Sequence, residues 1–343
     1  MKCLVTGGAG YVGSHVVMSL LDIGHEVVVL DNLSTGHLAA LPKGVCFWDI
    51  DLADAQATQE AVSQENWDVV FHFAALSSVS DSMRQPFHYL RQNTFNSLNL
   101  IEACTHNHVK RFVFSSTAAL FNGEKHLELI ADDALINPSS PYGDSKYFIE
   151  RALIWADRIY GMRSACLRYF NAAGADPLGR LGEDHRPETH LIPLTIDAAL
   201  GLHPLLRLFG GDYDTPDGTC IRDYIHVTDL ADAHIRVIDQ LDNASVSYNL
   251  GSGKGFSNLE IIKSVERVSG RKVPWEWADR RHGDPAILVA DSSRMQQETG
   301  WRPQYQDIDS IVATALHWRE RHPYGYDDSK QMQNRHTVEK LRC

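Results

Sequence analysis

Thr6-Gly7-Gly8-Ala9-Gly10-Tyr11-Val12-Gly13 follows a short β-branched run and opens an amphipathic stretch. The order is strand, G-x-x-G-x-x-G, helix. Gly7 permits a tight turn, Gly10 lets the backbone approach a pyrophosphate, and Gly13 lets the helix pack close to the sheet. Free amides at the helix start, together with the helix dipole, make an anion site. Working outward, a second run over 26–30 ends at Asp31, eighteen residues past Gly13. A carboxylate there bonds a ribose diol and repels a 2′-phosphate. Asn32-Leu33-Ser34 follows with no cation to attract that phosphate, so NAD is expected rather than NADP. Asp51 and Leu52 are expected along the adenine.

Further runs at 3–6, 45–48, 69–73, 112–115 and 164–167 have the length of buried strands, and helical stretches are read over 11–23, 54–65, 87–106 and about 142–160. This alternation predicts βαβ units and a doubly wound parallel sheet, Rossmann-like. After Asn171 glycine and proline become frequent, as in NAAGADPLG and GGDYDTPDG. The expected organisation is a dinucleotide-binding domain over 1–171 and a smaller α/β substrate region over 172–326, the latter built largely from loops. Segments near 227–251 are expected to return to the first domain. Residues 327–343 read as a mobile polar tail.

The chain has 343 residues, with 32 Lys and Arg against 44 Asp and Glu, for a net charge of −12. That charge repels phosphate backbones, so no nucleic-acid partner is expected. The longest apolar stretches, such as 27–30, fall far short of the ~20 residues of a membrane span, and the motif begins too early to leave room for a signal peptide. The six cysteines have no C-x-x-C pair and no metal spacing. They read as reduced thiols in a cytoplasmic protein, with no metal site.

Phe114-Ser115-Ser116-Thr117 ends the fifth strand, and Tyr142-Gly143-Asp144-Ser145-Lys146 begins the next helix. Tyr142 and Lys146, at i and i+4, share a face. An ammonium beside a phenol is expected to lower its pKa from ~10 toward neutrality, which suits a general base. A hydroxyl at the carboxyl end of the strand can hold a substrate oxygen.

These residues resemble the extended branch of the short-chain dehydrogenase/reductase superfamily. Phe73-Ala74-Ala75, Asn93, Arg168-Tyr169-Phe170-Asn171, the stretch from Pro187 to Pro193, Arg222-Asp223-Tyr224-Ile225-His226-Val227, Asn249-Leu250-Gly251, Arg281-x-Gly283-Asp284-Pro285 and His322-Pro323-x-Gly325-Tyr326 are similar, in order and spacing, to the UDP-glucose 4-epimerase family. The resemblance implies that Tyr142 is the base, Lys146 its partner, and Thr117 the bridging hydroxyl. It implies that Gly7, Gly10, Tyr11, Val12, Gly13, Asp31, Asn32, Asp51, Leu52, Phe73, Ala74, Asn93, Tyr142, Lys146 and Tyr169 surround NAD. A UDP-sugar would meet Thr117, Asn171, His190, Leu191, Phe209, Arg222, Arg281, Asp284 and Ile287. Ile287 would wall the C2 side of the sugar. A homodimer is implied, paired through the 87–106 and 142–160 helices, with Leu98, Ile154 and Ile159 outward.

The chain departs from the family at Leu76-Ser77-Ser78, at Leu120-Phe121-Asn122-Gly123 and over 126–133, all bordering the sugar site. Ala118-Ala119 follow Thr117 where a dehydratase carries an acid pair, and they disfavour a decarboxylase as well. A non-catalytic NAD sensor is disfavoured by the intact Thr117, Tyr142 and Lys146. An epimerase of UDP-xylose or of an N-acetylhexosamine stays open.

Overall fold

Cys3 and Val5 enter one core and Leu4 enters another, and all three are fully buried. They belong to β1 (Lys2–Thr6), and their alternation explains why the early strands read as unbroken apolar runs: both faces are covered. In this computed structural model residues 1–121, 129–281, 284–327 and 341–342 are described.

The first half runs α1 (Tyr11–Asp22), β2 (Glu26–Asp31), β3 (Cys46–Asp49), α2 (Ala55–Val62), β4 (Val69–His72), α3 (Val79–Arg84) and α4 (Pro86–Tyr89). It continues through α5 (Asn96–His106), β5 (Arg111–Ser115), α6 (Pro141–Tyr160) and β6 (Arg163–Tyr169). The second half holds β7 (Asn171–Ala173), α7 (Leu191–Leu200), β8 (Leu206–Phe209), β9 (Ile221–His226), α8 (Val227–Arg236) and β10 (Val246–Leu250). After it come β11 (Gly255–Ser257), α9 (Asn258–Ser269), β12 (Trp275–Ala278), β13 (Ile287–Leu288), α10 (Ser293–Thr299), α11 (Ile308–Arg321) and β14 (Leu341–Arg342).

The main sheet has the order β10-β6-β5-β4-β1-β2-β3-β14. Its first seven strands are parallel, giving the doubly wound fold. On one face α1 and α8 pack through Val16, Val17, Leu20, Leu230 and Ala231. On the other, α2, α5 and α6 pack through Val62, Leu100, Ile149 and Leu153. Each fully buried Val, Leu or Ile among them contributes ~1.5–3 kcal/mol. The chain reverses direction across the sheet between β1 and β4, and the turns after those strands meet there, at the carboxyl edge where open α/β sheets bind ligands.

Several expectations need correction. The 87–106 helix is not uniform: α4 and α5 are joined by a π-helical turn, Leu90–Phe95. The region after 172 is less loop-like than its composition suggests. There α7, α9 and α11 pack around Ile192, Ile196, Ile261, Val265, Ile311 and Val312, while the glycine- and proline-rich stretches connect them. Leu341–Arg342 pairs antiparallel with Trp48 and Phe47, where a free tail was expected; 328–340 and 343 lie outside the described residues. So do 122–128 and 282–283, hence Asn122, Gly123, Gly283 and part of the atypical 126–133 segment. Cys3, Cys104, Cys166 and Cys220 are buried free thiols. Cys46, on the strand that β14 joins, is disulfide-bonded, so the expectation of six reduced thiols fails there. Among the described residues no helix is long and apolar enough to cross a membrane.

Candidate active site

The turn after β1 needs glycine for two separate reasons. Gly7 has φ +72°, and a Cβ there would come within 2.4 Å of the Ala74 nitrogen. A Cβ on Gly13 would lie 2.2 Å from the Gly7 carbonyl oxygen. Gly10 is different. It caps α1 without a side-chain hydrogen bond, and no acid occupies the first turn of that helix, so the amides and the positive dipole end are left for an anion. A Cβ on Gly10 would meet only the Gly7 oxygen, at 3.3 Å, and the remaining space opens into a cleft of about 840 Å³.

At the end of β2, the Asp31 carboxylate accepts from Ala9 N at 3.0 Å and Leu33 N at 2.8 Å. Burial raises its pKa while these amides oppose the rise. Asn32 Nδ2 donates to Asp51 Oδ2 at 3.0 Å, and Ala53 N donates to Asp51 Oδ1 at 2.8 Å. Asn93, on the π turn, is buried and fully used: its amide bonds Leu76 N, Leu76 O and Ser145 Oγ at 2.8, 3.0 and 3.0 Å. It fixes the 73–78 loop to α6.

Thr117, Tyr142 and Lys146 are buried and line the same cleft. Ser140 caps α6 by accepting from Gly143 N at 3.1 Å. Gly143 admits the turn after β5 so closely that a Cβ would lie 2.4 Å from the Ala119 oxygen. This approach sets the Thr117 hydroxyl, which accepts from Ala119 N at 3.0 Å, beside Tyr142 on the wall of the cleft. Lys146 Nζ donates to the Ser115 carbonyl at 2.8 Å and lies 6.0 Å from the centre of the Tyr142 ring. Glu150, one turn on, holds Arg168 in a buried ion pair at 2.7 Å and accepts from Ser116 Oγ at 2.6 Å. Tyr169 bonds Ser115 through its phenol.

The electrostatics differ from the sequence expectation. Burial pushes Tyr142 up to about 12, with Thr117 acting against the rise. Burial pulls Lys146 down to about 7, with Glu150 acting against the fall. Burial thus dominates at both groups, and the lysine-assisted lowering expected of the phenol is not seen.

At the far end of the cleft, the Arg222 guanidinium pairs with Asp284 and donates to the Pro285 carbonyl at 2.7 Å. Arg281 stacks over Phe209 with 4.3 Å to the ring centre. Asn171 on β7 is the strand partner of Tyr224 on β9. Of the residues singled out from sequence, every one lines this cleft except Ile287. Ile287 pairs with Ile221 on β9; strand alternation turns the next side chain, Leu288, to the cleft, where it packs on the cluster of Ala118 and Phe170. His190 caps α7, and its Nδ1 lies 2.7 Å from Glu183 Oε1. It is one of a group with Glu183, His185 and Glu188; cysteine spacing carries no trace of this group, whereas the pattern Glu-x-His-x-x-Glu-x-His over 183–190 does.

The chain matches the model of the NAD dependent epimerase/dehydratase family over residues 3–251. It belongs to that family. It is similar to the UDP-glucose 4-epimerase of Lacticaseibacillus casei, 46% identical over 96% of this chain and 99% of that one. Two solved structures are also similar. The UDP-glucose 4-epimerase of Brucella ovis in complex with NAD is 42% identical, with TM-score 0.88, over 92% of this chain and 98% of that one. The Bifidobacterium longum enzyme in complex with NAD+ and UDP is 36% identical, with TM-score 0.90, over 95% and 100%.

In this family member the dry lysine gives a pH signature. Lys146 titrates near 10.5 when unfolded and about 7 when folded. Between those values the unfolded chain holds one more proton, so stability rises with pH. The raised pKa of Tyr142 opposes this only above pH 10. In urea denaturation of the cofactor-free protein between pH 7 and 10, the stability of the wild type relative to Lys146→Met should rise with pH, because the other titrating groups are common to both proteins. Parallel curves for the two proteins would contradict the assignment.

Proposed function

We propose that the chain interconverts UDP-glucose and UDP-galactose by inverting the sugar at C4, with NAD held through the cycle. One observation carries this reading: Thr117, Tyr142 and Lys146 share a single cleft with an uncapped glycine turn. The bound NAD and UDP of the similar solved structures support it.

The open space above Gly10 and the free amides of α1 fit a pyrophosphate, and Asp31 retains acceptor capacity for a ribose diol. Gly7, Gly10, Tyr11, Val12 and Gly13 would hold the phosphates. Asp31, Asn32, Asp51 and Leu52 would hold the adenosine half, and Phe73, Ala74, Lys146 and Tyr169 the nicotinamide half. Asn93 acts one step removed, by fixing the loop beside that half. When bound, the cofactor supplies a hydride acceptor and donor for C4, and its cationic ring favours the phenolate of Tyr142.

Tyr142 removes the proton of the 4-hydroxyl, with Thr117 bridging, and returns it after the 4-keto sugar has turned over. Arg222 and Arg281 suit the UDP pyrophosphate, because their planar donors match its oxygens. Asp284 would release Arg222 to it and accept from the uridine ribose. Anchoring the nucleotide while leaving the sugar loose retains the intermediate and lets it rotate. No acid follows Thr117: Ala118 and Leu120 of that turn are buried apolar groups, which supports epimerisation over dehydration.

We further propose a homodimer through α6 and the helix before it. Phe87, Trp155 and Ile159 are 70%, 54% and 65% exposed, with Phe95 and Phe148 beside them, and a second copy of the same face would cover them.

Three outcomes follow. Tyr142→Phe should lower turnover by about 10² to 10⁴ and leave NAD content, read after denaturation, unchanged; near-normal turnover would exclude Tyr142 as base. Leu288→Ala should raise kcat/KM for UDP-N-acetylglucosamine relative to UDP-glucose by roughly tenfold or more, and Ile287→Ala should not; the reverse pattern would show that Ile287 walls the sugar. Sedimentation at micromolar concentration should give twice the chain mass, whereas a monomer would refute the paired helices.

A further inference from the structure

The Glu183, His185, Glu188 and His190 group lies where the 183–190 loop meets the N-terminus of α7, on the wall of the cleft. One donor atom from each residue falls within a set whose members are all within 4.8 Å of one another. Glu183 Oε1 is 2.7 Å from His190 Nδ1 and 3.3 Å from His185 Nδ1. His185 Nδ1 is 3.6 Å from Glu188 Oε2, and His190 Nδ1 is 3.4 Å from Glu188 Oε1. Four ligands held at ~2.1 Å around a tetrahedral ion are ~3.4 Å apart, so most of these spacings are those of a coordination shell.

A second observation points the same way. Glu183 is 8% exposed, and its Oε1, like His185 Nδ1, is buried without a hydrogen bond. Buried polar atoms are normally satisfied. Here the two lie 3.3 Å apart, and a cation seated between them would satisfy both.

We propose that these four side chains form a site for a zinc-class divalent cation. Two imidazole nitrogens and two carboxylate oxygens match zinc, whereas magnesium and calcium prefer oxygen throughout. Glu188 is oriented for the task, since its Oε1 accepts from Thr189 N at 2.7 Å and His190 N at 2.8 Å. Tyr11 from the glycine turn stands edge-on to the His185 ring at 6.2 Å. The ion would therefore brace the loop between the dinucleotide turn and Leu191 of α7. It holds position and takes no part in the hydride step.

The test uses the full-length protein stripped with chelator and dialysed against zinc sulfate, with metal content and melting temperature as readouts. One zinc per chain is expected, and at ~100-fold excess over Kd the melting temperature should rise by roughly 4 °C. The double variant His185→Ala/His190→Ala should bind at least ~100-fold more weakly. Should that variant fail to fold, Glu183→Gln, which keeps the shape and removes one charged ligand, should show the weakening alone. Zinc binding unchanged in either folded variant, no zinc above background in the wild type, or an equal rise with magnesium would each overturn the site.

Discussion

A single dry amine governs the geometry of the cleft. Lys146 Nζ reaches the Ser115 carbonyl at 2.8 Å and sits over the Phe114 ring at 4.8 Å, which ties α6 to the carboxyl end of β5. That tie turns Tyr142, one helical turn earlier, toward Thr117, and Gly143 is small enough to let the two elements touch. Burial then disfavours the charged form of both lysine and phenol.

The sheet supplies the other half of the arrangement. The chain reverses direction between β1 and β4, so the glycine turn and the Phe73-Ala74 loop face one another at the same edge as Lys146. At the opposite end, Arg222 and Asp284 neutralise each other. The Arg222 side chain is only 11% exposed, and a buried cation left without an anion is costly, so Asp284 holds that charge balanced.

Much of this was legible in the residues. The glycine spacing, Asp31 and the Tyr142–Lys146 pair are local features, set by a turn or a single helix, and a sequence states them directly. What was not legible depended on through-space environment or on register. The expected lowering of the Tyr142 pKa assumed a hydrated ammonium, and burial removes it. Ile287 missed the cleft by one residue, because a strand turns successive side chains to opposite faces. The helices after residue 172 were hidden by the glycine- and proline-rich loops between them. The Glu183–His190 group was visible as a pattern, but only the fold shows that its donor atoms converge.

The most direct measurement follows a label rather than a rate. UDP-galactose carrying deuterium at C4 is incubated with the enzyme in ordinary water, and the UDP-glucose formed is examined by NMR. Transfer of a hydride to a bound acceptor and back, with only the hydroxyl proton handled by Tyr142, requires that the deuterium stay on C4. Washout of the label into solvent would mean that the carbon-bound hydrogen leaves as a proton, which contradicts the assignment of Tyr142, Lys146 and the glycine turn to one redox cleft.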